Sequence, residues 1–135
     1  MTRDTPRMGI VYLACPYSKG TLAAQLARYE AATHVAAKLI EQRLIVFSPI
    51  TMTHPIDVIL AKKGETLGSH YWVEFDIAFM EACSELMVLT LPGWNESSGV
   101  AREMKFFQDR GLAVQYLEPS DYLLADDRRF RAALK

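Results

Sequence analysis

The residue types and spacing best suited to chemistry lie in one short stretch, Asn95-Glu96-Ser97-Ser98-Gly99-Val100-Ala101-Arg102-Glu103. It follows an apolar run, Leu86 to Leu91, that reads as a buried strand, and precedes Met104 to Gln108, which reads as a helix. Pro92-Gly93 breaks the strand, and Ser97 or Ser98 suits the N-cap. The stretch is therefore a strand-loop-helix joint with Glu103 on the first or second helical turn. An acid there is an edge group that contributes little to the core. In an open parallel sheet this edge is where ligands bind. Free backbone N–H groups at a helix start suit an anion or a carboxylate used in chemistry.

Two other residues have unusual settings. Tyr12 puts a hydroxyl into an otherwise apolar strand, Val11 to Ala14. The plainer account is a core tyrosine whose hydroxyl finds a surface or backbone partner, and taken alone that account prevails. Asp76 sits among Trp72, Phe75, Ile77, Phe79 and Met80. It is either a solvated or salt-bridged acid at a helix edge, or a second carboxyl facing the site. Buried acids are rare without a partner, so Asp76 by itself also favours the plainer account.

The elements that position these groups alternate. Gly9 to Ala14 reads as a first strand, followed by the turn-rich loop Cys15-Pro16-Tyr17-Ser18-Lys19-Gly20. A helix is predicted from Thr21 to Gln42, with Leu22, Leu26, Tyr29, Ala32, Ala36, Leu39 and Ile40 as its apolar stripe. Leu44 to Phe47 reads as a second buried strand, and a short helix is expected within Met52 to Lys62, starting near Pro55. Ser69 to Cys83 reads as a helix and Glu85 to Leu91 as the third strand. Ser98 to Arg110 is the next helix, capped by Gly111. Leu112 to Leu117 is a fourth strand, and Asp126 to Leu134 a closing helix. Apolar strands alternating with amphipathic helices imply an α/β fold, a three-layer sandwich around a mainly parallel sheet of Rossmann or flavodoxin type. Three loops, 15–20, 48–54 and 92–98, are expected at its carboxyl edge.

Composition bounds the function. A chain of 135 residues, half apolar, with a formal charge of −1, gives no electrostatic reason to expect a nucleic-acid or membrane partner. Residues 1–8 read as a loose tail without the apolar core of a signal peptide, and residues 9–135 as one domain. No apolar stretch reaches the roughly 18–20 residues of a membrane span. Cys15 and Cys83 lack metal-ligand spacing, and the three histidines are scattered. Reduced thiols, a cytoplasmic location, and neither metal nor cofactor are the expectation.

Taken together, Val11-Tyr12-Leu13-Ala14, Asp76 ahead of the third strand, and Ser97-Ser98-Gly99-Val100-Ala101-Arg102-Glu103 resemble the nucleoside 2-deoxyribosyltransferase superfamily. In order and spacing the resemblance runs from about Gly9 to Leu117. It is closest in motif to the nucleoside 5′-monophosphate N-glycosidases of that superfamily, and in general look to a small bacterial and phage branch. The resemblance implies that Glu103 is the nucleophile that traps an oxocarbenium-like sugar. It implies Asp76 as acid or relay for the departing base and Tyr12 as the group that aligns Glu103. Members acting on free nucleosides carry aspartate where this chain has Ser97, and members acting on monophosphates carry serine. A serine hydroxyl and a helix start favour a phosphate, which a carboxylate would repel.

Ser97, Ser98, Gly99, Ser18, Lys19 and Tyr17 are thus the expected substrate contacts. His54 and Trp94 could frame the base by hydrogen bond and stacking respectively, although a loop histidine or tryptophan is more often a structural plug. The first loop is neither the glycine-rich nor the arginine-bearing version of the nucleotide hydrolases, and Arg102 replaces a more usual apolar or aromatic residue. The leading expectation is cleavage of a nucleoside 5′-monophosphate at its N-glycosidic bond, releasing the base. Base exchange by a deoxyribosyltransferase and non-catalytic nucleotide sensing are the alternatives. The resemblance further implies a nucleotide or nucleoside as the small-molecule partner and a homodimer or larger homo-oligomer.

Overall fold

The computed structural model describes residues 9–65 and 67–135, so the tail expected at residues 1–8 lies outside it. Strands β1 (Ile10–Ala14), β2 (Ile45–Phe47), β3 (Glu85–Leu89) and β4 (Ala113–Leu117) form one sheet, every pair parallel, in the order β2-β1-β3-β4. Helices α1 (Leu22–Glu41), α2 (Pro49–Lys62), α3 (Ser69–Met80) and α4 (Ser98–Asp109) connect them. This is the three-layer, flavodoxin-like α/β sandwich that the alternation predicts.

The pleat divides the core in two. Val11 and Leu13 of β1, with Met87 and Leu89 of β3, face α1 and the C-terminal residues Leu123, Phe130 and Ala133. Tyr12 and Ala14, with Leu86 and Val88, face Met80 of α3 and Val100 and Phe107 of α4. Successive residues on a strand point to opposite faces, so one residue of register decides that Tyr12 meets α4. The helices after β1 and β3 therefore leave on opposite faces. The ends of these two strands open a crevice where the strand order reverses, the usual ligand position in such sheets.

Several expectations need correction. β2 is not buried: it forms a sheet edge, paired with β1 alone, and Ile45 is 41% exposed. β4 is the other edge, with Tyr116 exposed. An apolar run does not reveal whether a strand is central. Helix α2 starts at Pro49, not near Pro55, because Pro49 takes a first-turn place where no N–H is needed. Pro55 lies inside the helix, exposed, where it forgoes the bond to the Thr51 carbonyl. The closing helix is a 3₁₀ segment, Arg128–Ala133. The stripe expected on α1 holds at Ala32, Ala36 and Leu39 but not at Leu22, Leu26 and Ile40. Its buried face is Ala27, Ala31, Ala32, Val35, Ala36 and Leu39, whose small side chains admit close packing, while Leu22, Leu26 and Ile40 are exposed. Gly111, at φ +68°, ends α4 as expected, and Leu112 N–H closes the turn on the Phe107 carbonyl at 3.0 Å.

Phe107 is fully buried, and its ring centre lies 6.2 Å from that of Tyr12, which Phe47 approaches from another side at 5.8 Å. Two aromatic neighbours thus hold the Tyr12 ring in place. Phe107→Ala should cost about 3–5 kcal/mol in urea unfolding. A loss below about 1 kcal/mol would show that α4 is not anchored there.

Candidate active site

The crevice is a cleft of about 830 Å³. Its floor is the end of β1, Ala14 and Cys15. One wall is the start of α4, from Ser97 to Glu103, and another is α3, with Trp72, Val73 and Asp76. Opposite lie Leu22, Gln25 and Leu26 of α1 and Pro49 to Val58 along α2. The first and third expected loops do reach this place, through Tyr17, Ser18, Ser97 and Ser98. The segment 48–54 arrives as helix rather than loop.

Ser97 is the N-cap of α4, its hydroxyl oxygen accepting from Val100 N–H at 3.2 Å. That sets the helical phase and turns Glu103, on the second turn, inward. Glu103 is only 6% exposed, so it is not the edge acid its sequence position suggests. Tyr12, at 0% exposure, donates its hydroxyl to Glu103 Oε2 at 2.6 Å. This bond joins the central strand to α4 inside the core. It is the position-specific reason for a hydroxyl on β1, and it displaces the plainer account of Tyr12.

The electrostatics follow from burial. Glu103 is pushed up to about 8, first by desolvation and further by the Asp76 charge, against the Tyr12 hydrogen bond and the Arg102 charge. Asp76 is pushed up to about 6 by desolvation, against the opposing pull of Arg102 and Tyr12. Asp76, the carboxyl with the lower value, ionises first, and its charge then helps keep the proton on Glu103. Between the two values the pair carries one proton, the condition under which one carboxyl acts as acid and the other as base or nucleophile. Tyr12 itself is raised far above its ordinary range by burial and by Glu103, so it remains a donor. Arg102 sits on the cleft wall, with a guanidinium nitrogen 3.7 Å from where a Gly99 side chain would begin. Its positive charge therefore faces the cleft mouth, an arrangement that the sequence did not disclose.

Most of the expected site residues gather in the cleft: Glu103, Asp76, Ser97, Ser98, Gly99, Tyr17, Ser18 and His54 line it, and Tyr12 supports it from behind. Two do not. Trp94 belongs to the 3₁₀ turn Trp94–Glu96, entered through Gly93 at φ +91°. It packs on Tyr116, 5.4 Å between ring centres, on the α4 side of the sheet. Lys19 is exposed and absent from the lining. Only its carbonyl is engaged, together with that of Tyr17, by Arg28. The aromatic residue that does reach the cleft is Trp72, and Asp57 and Gln25 join it. Helical spacing puts Trp72 one turn from Asp76, a signal available in the sequence. Gln25 and Asp57 carry no such marker. Among the described residues, no group of three or more His, Cys, Asp or Glu side chains gathers as a metal site requires.

The Glu103 shift has a consequence for stability. The native carboxyl holds its proton up to about pH 8, whereas an unfolded one releases it near 4.5. The native state then binds the extra proton between these values, so this group's contribution falls as pH rises through that window. Glu103→Gln, which carries no charge, should raise the thermal midpoint by several degrees at pH 8 and by little or nothing near pH 4.5. An unchanged midpoint at both pH values would mean that Glu103 is not desolvated.

With the cleft defined, comparison with known proteins adds one finding. No curated protein matches the chain. A family profile matches residues 9–118, a span that holds all four strands, the Tyr12–Glu103 bond and Asp76. On that match, the chain belongs to the family described as Domain of unknown function (DUF1937).

Proposed function

We propose that the protein cleaves the N-glycosidic bond of a nucleoside 5′-monophosphate and releases the free base. The observation that carries this reading is the 2.6 Å bond from Tyr12 to Glu103 Oε2 beside a second raised carboxyl, Asp76, on the adjoining wall of the cleft. Tyr12 holds one carboxylate oxygen and leaves Oε1 to attack C1′. The C1′–N bond then breaks, its electron pair passes to the base, and Asp76 supplies the proton. Water next attacks the glycosyl ester while Asp76 takes the water's proton. The sum is nucleotide plus water giving base plus sugar phosphate. Burial favours the pair's single proton on Glu103. The productive form, with the proton on Asp76 and the charge on Glu103, is thus the minor arrangement of the singly protonated pair and is reached by moving that proton from one carboxyl to the other.

A phosphate at the α4 start would meet the Ser97 and Ser98 hydroxyls, the free N–H groups of the first turn, and Arg102. Ser97 can cap and donate together, since a hydroxyl that accepts from Val100 keeps its own proton. Arg102 supplies the guanidinium that the first loop lacks. Exposed Ile45, Met52, Ile59, Tyr71 and Phe79 on β2, α2 and α3 support a homo-oligomer, because apolar side chains in such number favour a covering partner. A cytoplasmic location accords with this reading. Both cysteines are free, and no described helix is long and apolar enough to cross a membrane.

Chromatography of a panel of nucleosides and nucleotides incubated with the protein should show free base from at least one 5′-monophosphate. Added acceptor base distinguishes hydrolysis from transfer. Glu103→Gln should bring release below detection, and Asp76→Asn should slow it by about 100-fold or more. In the parent, kcat/KM should rise with pH through about 6 and fall again through about 8, the limits of the singly protonated pair. Near-normal turnover by Glu103→Gln removes it from the mechanism. A flat profile across that range removes the shared proton.

Position 97 tests the phosphate. Ser97→Asp sets a carboxylate against a dianion and should weaken monophosphate use about tenfold or more, since about 1.4 kcal/mol of repulsion suffices. The corresponding nucleoside should be spared or used better. An unchanged preference between the two substrates would return the reading to a nucleoside-directed enzyme or a binder.

A further inference from the structure

One cluster in the cleft has no part in the steps above. Tyr17 meets His54 of α2 through a 2.7 Å hydrogen bond between its phenol oxygen and Nδ1. The imidazole is stacked on Tyr29 of α1, 4.4 Å between ring centres at an interplanar angle of 23°, while Tyr17 meets it edge-on. Asp57 lies one turn further along α2. Its carboxyl is raised chiefly by burial and lowered by His54, so the two side chains sense one another. Burial, then Asp57, pushes the Tyr17 phenol up to about 12, which keeps its proton in place.

Three elements thus hold one imidazole by a ring face, a ring edge and one nitrogen. Tyr17 occupies Nδ1, and Nε2 is the nitrogen left for a ligand. When the phenol donates to Nδ1, the neutral ring carries its proton on Nε2. The same cleft offers apolar and flat surface in Leu22, Leu26, Ile50 and Trp72. A heteroaromatic ring requires this combination of apolar faces and an in-plane donor.

We propose that His54, held by Tyr17 and Tyr29, receives the base of the nucleotide and assists its departure. The inference rests on the glycosidic cleavage proposed above. As Glu103 Oε1 bonds to C1′ and the C1′–N pair moves into the base, Asp76 delivers the proton. His54 Nε2–H meanwhile donates a hydrogen bond to the ring nitrogen or carbonyl oxygen where negative charge collects, and keeps its proton. His54 is then a catalytic residue, and Tyr17 and Tyr29 are positioning residues. The bases selected are those that present an acceptor on the edge facing α2.

The test compares the best-cleaved nucleoside 5′-monophosphate with analogues whose bases carry halogens and therefore depart more readily. His54→Gln should lower kcat on the unsubstituted nucleotide by about 100-fold but by only a few-fold on the analogue with the best leaving group. Tyr17→Phe, a milder change to the packing, should show the same trend at about tenfold on the unsubstituted nucleotide. Equal loss along the series, or no loss, in Tyr17→Phe and in a folded His54→Gln overturns the role of His54 and leaves that of Glu103 intact. If the parent protein releases no base from any nucleotide, the glycosidase reading falls and this inference falls with it.

Discussion

The site depends on one hydrogen bond made away from water. Tyr12 on the central strand and Glu103 on α4 meet at 2.6 Å with both residues buried. Such a contact is costly to leave unmade, because a buried hydroxyl or carboxyl without its partner bears its full desolvation penalty. The bond therefore ties the phase of α4 to the register of β1. The Ser97 cap fixes where the helix begins, six residues before the acid, and Phe107 fixes its inner face one turn beyond. A slip in any of these would turn Glu103 to solvent or into apolar packing. The chemistry proposed for Glu103 and the packing of α4 are two aspects of one constraint.

The alternation of elements was readable from the sequence because helical and strand periodicities differ strongly over this length. Less readable was how deeply each element is buried. β2 and β1 carry similar apolar runs, yet one is a sheet edge and the other central, since pairing is settled by distant parts of the chain. The α1 stripe is legible only in part for a related reason. Ala32, Ala36 and Leu39 are buried as expected, whereas close helix-sheet packing adds Ala27, Ala31 and Val35 and leaves Leu22 and Leu26 to line a cleft.

Within the site, Tyr12, Asp76 and Glu103 stand out locally as a hydroxyl in an apolar strand, an acid among aromatics and an acid just past a cap. Tyr12 and Asp76 taken singly nonetheless favour plainer accounts, and only the family resemblance joins the three. Asp57 and Gln25 are ordinary residues on helical surfaces and become distinctive only when α1 and α2 converge on Tyr17 and His54. Trp94 and Trp72 show the reverse error. A loop tryptophan looked available to a ligand, but the 3₁₀ turn carries Trp94 to the Tyr116 side of β4, while the helical tryptophan lines the cleft.

The two carboxyls stand on supports of unequal firmness. Glu103 belongs to a helix anchored by Val100 and Phe107, both buried, whereas Met80 is the only buried residue of α3. A chain of partly exposed rings, edge-on from Trp72 to Phe75, tilted from Phe75 to Phe79 and stacked from Phe79 to Phe47, connects α3 to the sheet edge instead. Segments with few buried anchors open at lower free energy than the core that carries them. The wall bearing Asp76 is thus the less firmly anchored side of the cleft, and the desolvation that raises Asp76 depends on that wall staying packed.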